Sequence, residues 1–214
     1  MQQILVYSDS LSWGIIPDTR QRLPFAQRWP GVLEIALTQS GQDARVIEDC
    51  LNGRRTVFED PFKPGRNGLH GLAQCIESHS PLALVILMLG TNDFQSMHPH
   101  TAWHATQGMA TLIQTVRCAP IEPGMPVPPI LVIAPPAVTT PRGSIAPKFA
   151  GAEEKCKGLA DAYQQVCEQL RCAFFDAGSI VTSSRIDGIH LDADQHLRLG
   201  IALAPVCHAL LHQA

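Results

Sequence analysis

Four short stretches hold residue types that could cooperate in acyl transfer. In Ser8-Asp9-Ser10-Leu11-Ser12-Trp13-Gly14, the Ser10 hydroxyl lies just past an apolar run, where a turn can expose it. Asp and Ser serve there equally well as turn and helix-capping residues. Asp187-Gly188-Ile189-His190 offers a base with a carboxylate three residues before it. A histidine base needs such a carboxylate to hold it in one tautomer. Asp192 competes for that task, but Asp192-Ala193-Asp194-Gln195 has the form of a capping box opening a helix, which favours Asp187 as the orienter.

Two further stretches supply hydrogen-bond donors. Gly90-Thr91-Asn92-Asp93 carries a side-chain amide, Asn92, that can donate to developing negative charge without giving up a proton. Asn52-Gly53-Arg54-Arg55-Thr56 carries Gly53, whose backbone N–H can approach the same charge. Taken singly, each stretch reads as well as a turn or a cap.

The elements that must position them alternate along the chain. Apolar runs at 3–7, 45–48, 82–89, 129–134 and 172–176 predict five strands, the third buried on both faces. Helical periodicity occupies 29–39, 68–78, 101–118, 152–170 and 193–212. This alternation predicts an α/β fold, a three-layer sandwich with a flavodoxin-like, five-stranded parallel sheet. Ligands bind such sheets beyond the carboxyl ends of the strands. All four stretches fall at predicted carboxyl ends or in the loops after them, so the fold collects them on one edge. The loops 15–28, 58–67 and 139–151 are long enough to build substrate walls.

Bulk properties limit the alternatives. The 214 residues fit one domain, with 45% hydrophobic and 16% charged residues. A net charge of -3 with scattered basic residues argues against a nucleic-acid partner and leaves a small molecule as the expected one. The longest apolar run, 82–89, is too short to cross a bilayer, so no membrane partner is expected. Residues 1–7 lack the basic and long apolar regions of a signal peptide. The seven cysteines include no C-x-x-C and are expected to be reduced core thiols of a cytoplasmic protein. His98, His100 and His104 have ligand-like spacing, but without a neighbouring Cys or acidic partner they read as a solvated helix start, and no metal is expected.

In this order the four stretches resemble the conserved blocks of the SGNH (GDSL-type) hydrolases: Ser8-Asp9-Ser10-Leu11, Gly53, Gly90-Thr91-Asn92-Asp93 and Asp187-Gly188-Ile189-His190. Finer features, including Ser10-Leu11-Ser12-Trp13-Gly14 and Asp187-Gly188-Ile189-His190, look like the arylesterase and acyltransferase (perhydrolase) branch. The resemblance implies the SGNH hydrolase fold, with Ser10 as nucleophile and Asp187 and His190 completing a triad. It implies an oxyanion hole from the Ser10 N–H, the Gly53 N–H and the Asn92 side chain. It implies hydrolysis of short acyl esters without a cofactor, acyl transfer to alcohols or peroxide, and, as in some members, a homo-oligomer. Segments 119–129 and 139–151 are candidate contact surfaces for such an assembly. Asp9 and Trp13, beside the nucleophile, are the candidate substrate contacts. Carbohydrate acetylesterase and thioesterase activities are alternatives on the same triad. One position departs from the family: Ser8 stands where the first block has glycine, and a left-handed backbone there would strain a serine.

Overall fold

A computed structural model describes residues 1–212. In chain order the main elements are β1 (Gln2–Ser8), α1 (Ser10–Trp13), α2 (Trp29–Gln39), β2 (Ala44–Cys50), α3 (Leu72–His79), β3 (Leu84–Met88), α4 (Ala102–Arg117), β4 (Ile130–Ala134), α5 (Ala152–Lys155), α6 (Leu159–Leu170), β5 (Ala173–Asp176) and α7 (Ala193–Leu211). The five strands form one parallel sheet in the order β2-β1-β3-β4-β5. This is the flavodoxin-like order, whose switch point lies between β1 and β3.

The sheet is covered on both faces because its central strands alternate two apolar sets. Leu5, Tyr7, Val85 and Leu87 point into one layer, with α3, α4 and α6; Ile4, Val6, Leu84 and Ile86 point into the other, with α2 and α7. Every residue of β3 and β4 is buried, as a strand covered on both faces requires.

Several boundaries differ from the sequence pattern, each for a local reason. β2 runs beyond 45–48 because β1 pairs with it from Ala44 to Cys50. The run 82–89 is trimmed to Leu84–Met88, although Leu82 and Leu89 stay buried. The helix expected from 68 starts at Leu72. Residues before it are committed elsewhere: Gly68 N–H donates to the Arg55 carbonyl (3.1 Å) and Tyr7 Oη donates to the Gly68 carbonyl (2.8 Å). The helix expected over 152–170 is two, α5 and α6. Gly158 takes φ +77 between them, which breaks the ladder without cost to a side chain. Among the described residues no helix is long and apolar enough to cross a membrane.

Candidate active site

The turn leaving β1 is a single helical turn that sequence periodicity is too short to reveal. Asp9 is its N-cap, its Oδ1 accepting from the Leu11 N–H at 2.9 Å, so Ser10 occupies the first position of α1. Ser8 is extended and paired with Cys50 and Met88, so the family's glycine position demands no left-handed backbone here. Its Oγ donates to the Met88 carbonyl (2.6 Å) and meets Ser12 Oγ (2.6 Å), which in turn accepts from Trp29 Nε1 (3.0 Å).

Across the sheet edge, the segment before α7 brings His190 to Ser10. His190 Nε2 lies 3.2 Å from Ser10 Oγ, and His190 Nδ1 lies 2.6 Å from Asp187 Oδ2. With the Nδ1 proton donated to the carboxylate, Nε2 is the acceptor for the serine hydroxyl. Asp187 Oδ1 also accepts the backbone N–H groups of Ile189 and His190, both at 2.9 Å. Burial alone would raise the Asp187 carboxyl; the bond from His190, its charge and the two N–H groups outweigh burial and hold it below the usual carboxylate value. Gly188 takes φ +78, and a Cβ there would lie 2.4 Å from the Thr140 carbonyl oxygen. The tight turn therefore needs glycine. The loop is also fastened by Thr139 N–H to the Gly188 carbonyl and Arg142 N–H to the Asp187 carbonyl, both 3.0 Å.

Asp192 does not act as the sequence suggested. It sits at the N-cap of α7, but its side chain makes no capping bond and instead accepts from Ser184 Oγ at 2.8 Å. That bond ties the 184–192 segment to itself and leaves Asp187 as the carboxylate on His190.

Asn92 lies in a 3-10 turn after β3 (Thr91–Phe94), and its amide is fixed at both ends. Nδ2 donates to Asp9 Oδ2 at 2.8 Å, Oδ1 accepts from Gln95 Nε2 at 2.7 Å, and the Asn92 carbonyl accepts from Arg55 Nε at 3.0 Å. One amide hydrogen thus remains for the cleft, which Asn92 lines with Ser10, Gly53 and His190. Among the described residues the Gly53 N–H has no hydrogen-bond acceptor. Arg55, Gln95 and Asp9 support this donor, and no local spacing pointed to them.

Asp9 and Trp13, the candidate substrate contacts, are placed otherwise. Both Asp9 oxygens are spent internally and the residue is buried at 1% exposure; desolvation raises its carboxyl to about 6 against the pull of its hydrogen bonds. Trp13 lies beneath the Arg22 guanidinium, 4.8 Å from the ring centroid, and does not line the cleft. The walls come from Ile15, Arg20, Lys63, Ile145, Lys148 and Phe149, on the three long loops that the sequence marked. His98, His100 and His104 stack in a row, His100 against Phe58 at 3.8 Å, and His104 Nδ1 closes a capping box with Thr101.

An arylesterase of Vibrio mimicus is 36% identical over 92 residues, which make up 43% of this chain and 38% of that protein, so the match spans well under half of the relative's length. A carbohydrate acetylesterase family member from Sinorhizobium meliloti superposes with a TM-score of 0.93 at 37% identity, covering 99% of this chain and 100% of that one. The inhibitor-bound aryl esterase of M. smegmatis does so with a TM-score of 0.92 at 35% identity, covering 98% and 100%. Residues 9–201, from the aspartate before Ser10 to the middle of the last helix, match the GDSL-like Lipase/Acylhydrolase family, and the chain belongs to it.

Proposed function

We propose that the protein is a serine esterase that hydrolyses short-chain acyl esters, aryl esters included, through an acyl-enzyme on Ser10. Membership of the family makes carboxylic ester hydrolysis its reaction class. The observation that carries the finer reading is the unbroken chain Asp187–His190–Ser10, at 2.6 and 3.2 Å, ending beside Gly53 and Asn92.

In this reaction Ser10 Oγ attacks the ester carbonyl carbon as His190 Nε2 takes its proton. Negative charge then gathers on the carbonyl oxygen, which the N–H groups of Ser10 and Gly53 and the free amide hydrogen of Asn92 stabilise. His190 returns the proton to the leaving alcohol. It next takes a proton from water as the water oxygen attacks the acyl carbon, then gives that proton to Ser10 Oγ as the bond to Ser10 breaks and the acid leaves. An alcohol or peroxide in place of that water would carry the acyl group away instead. The mechanism draws on side chains, backbone and water alone.

Two cavities support the substrate class. The space at Ser10, Gly53 and Asn92 is small, about 50 Å³, which suits an acetyl group better than a long chain. Beside His190 a groove of about 230 Å³ is lined by Asp18, Thr19, Arg20 and Ser144. Its polar walls favour a hydroxylated leaving group, so a sugar acetate is the second reading, in keeping with the acetylesterase neighbour. Initial rates on p-nitrophenyl acetate, butyrate and octanoate test the acyl pocket, with acetate expected to be fastest and a preference for octanoate overturning it. Product analysis with added alcohol or peroxide separates hydrolysis from acyl transfer.

A further inference from the structure

Cys167 lies in the last turn of α6 and Cys172 immediately before β5. Between them Arg171 takes φ +51, the left-handed conformation that ends a helix. Its N–H donates to the Glu168 carbonyl (3.2 Å) and the Cys172 N–H donates to the Cys167 carbonyl (3.0 Å). These are the two bonds of a Schellman motif, which presses together one side chain inside the helix end and one beyond it. An apolar pair usually fills those positions. Here both are cysteine, both are free, and the Cys172 thiol donates to the Cys167 carbonyl at 3.9 Å, which sets it against the helix turn that carries the Cys167 side chain.

The surroundings differ for the two sulfurs. Cys167 is buried, whereas Cys172 is half-exposed and lines a groove of about 370 Å³ with Arg117, Val127, Pro129, Arg171 and Leu210. Arg117 donates to the Leu170 and Arg171 carbonyls, so its guanidinium closes over the helix end beside Cys172. The neighbouring Cys167 thiol holds the Cys172 thiol below its usual range; burial opposes this and the Arg117 charge adds to it. The neighbouring Cys172 thiol and burial push the Cys167 thiol up, with Glu168 contributing.

We propose that Cys167 and Cys172 form a peroxide-reactive dithiol, with Cys172 the attacking sulfur and Cys167 the resolving one. The Cys172 thiolate attacks one oxygen of hydrogen peroxide. The O–O bond breaks, hydroxide leaves and takes up the proton the thiol had released, and Cys172 becomes a sulfenic acid. The Cys167 sulfur then displaces the sulfenic hydroxyl, which departs with the Cys167 proton as a second water, and an S–S bond remains. The two thiols lose two electrons in all, and peroxide is reduced to two waters. The pair precedes β5, at the amino end of the sheet, opposite the strand ends that carry Ser10 and Asn92.

The test is limited treatment of the folded protein with hydrogen peroxide, alkylation of remaining thiols, and non-reducing tryptic mapping. Cleavage at Lys157, Arg171 and Arg185 separates the two cysteines into peptides 158–171 and 172–185. These are expected to run as one disulfide-linked species, lighter by two hydrogens than their sum, before exposed Cys118 is consumed. In Cys167→Ser, Cys172 is expected to stop at a sulfenic acid that dimedone captures; in Cys172→Ser, Cys167 is expected to stay reduced. Separate peptides after Cys118 has been oxidised, or dimedone capture at Cys167 in Cys172→Ser, would overturn the proposal. Circular dichroism confirms that each variant is folded.

Discussion

Asn92 donates its side-chain amide to the Asp9 carboxylate at 2.8 Å, across 83 residues of sequence. The same carboxylate accepts the Leu11 N–H, so one buried group fixes both the turn presenting Ser10 and the donor facing it. On the proposed mechanism Asp9 is a positioning residue. Asp9→Asn removes the charged acceptor and is expected to lower kcat by about 10- to 100-fold, the range for a charge-assisted hydrogen bond, with KM little changed. Asn92→Ala, which deletes the donor itself, is expected to cost about 10²–10³ in kcat. Steady-state kinetics on p-nitrophenyl acetate checks both, and an effect confined to KM would count against this assignment.

Ser8 earns its place by bonding to Met88 and Ser12 in an extended strand, not by tolerating strain. Restoring the family residue with Ser8→Gly is expected to lower stability by about 1–3 kcal/mol, through the lost bonds and the added freedom of the unfolded chain. Ester hydrolysis should stay near the wild-type rate. Urea denaturation measures the first effect; a more stable Ser8→Gly variant would show that serine is the strained choice.

Asp93 ties the second and third strand loops together, accepting from the Thr56 N–H (2.9 Å) and Thr56 Oγ1 (2.5 Å). Burial pushes its carboxyl from 3.8 up to about 7, against those bonds and Arg55. A folded value above the unfolded one means that the folded state holds the extra proton. Its contribution to stability is full below about pH 4 and is lost as pH rises through about 7. Relative to Asp93→Asn, the wild type should lose up to about 1.4 kcal/mol per pH unit across that window. Urea unfolding of both proteins at several pH values reads the slope, and a difference that does not vary with pH would contradict it.

How much of this was legible in the sequence depends on the range of the interaction. The five strands were visible because β3 and β4 are continuous apolar runs, and the rule that sites lie beyond strand carboxyl ends brought Ser10, Gly53, Asn92 and His190 to one edge. Asp187 and His190 are three residues apart, so their pairing could be read from spacing. Arg55, Gln95 and Asp9 were not legible as supports of Asn92, because Arg55 and Asp9 reach it only through the sheet order and Gln95 through a 3-10 turn. The break at Gly158 was hidden because a single glycine fits helical periodicity until its backbone turns left-handed. The long loops were recognisable as walls, but that Ile15, Lys63 and Lys148 face the cleft while Trp13 turns under Arg22 is decided by tertiary packing.

Ser10 is the proposed nucleophile, with its Oγ 3.2 Å from His190 Nε2. Its most direct test is hydrolysis of p-nitrophenyl acetate by the wild type and by Ser10→Ala, with circular dichroism showing that both are folded. Loss of the nucleophile is expected to lower kcat by on the order of 10⁴-fold or more. Turnover by Ser10→Ala equal to that of the wild type would contradict the account.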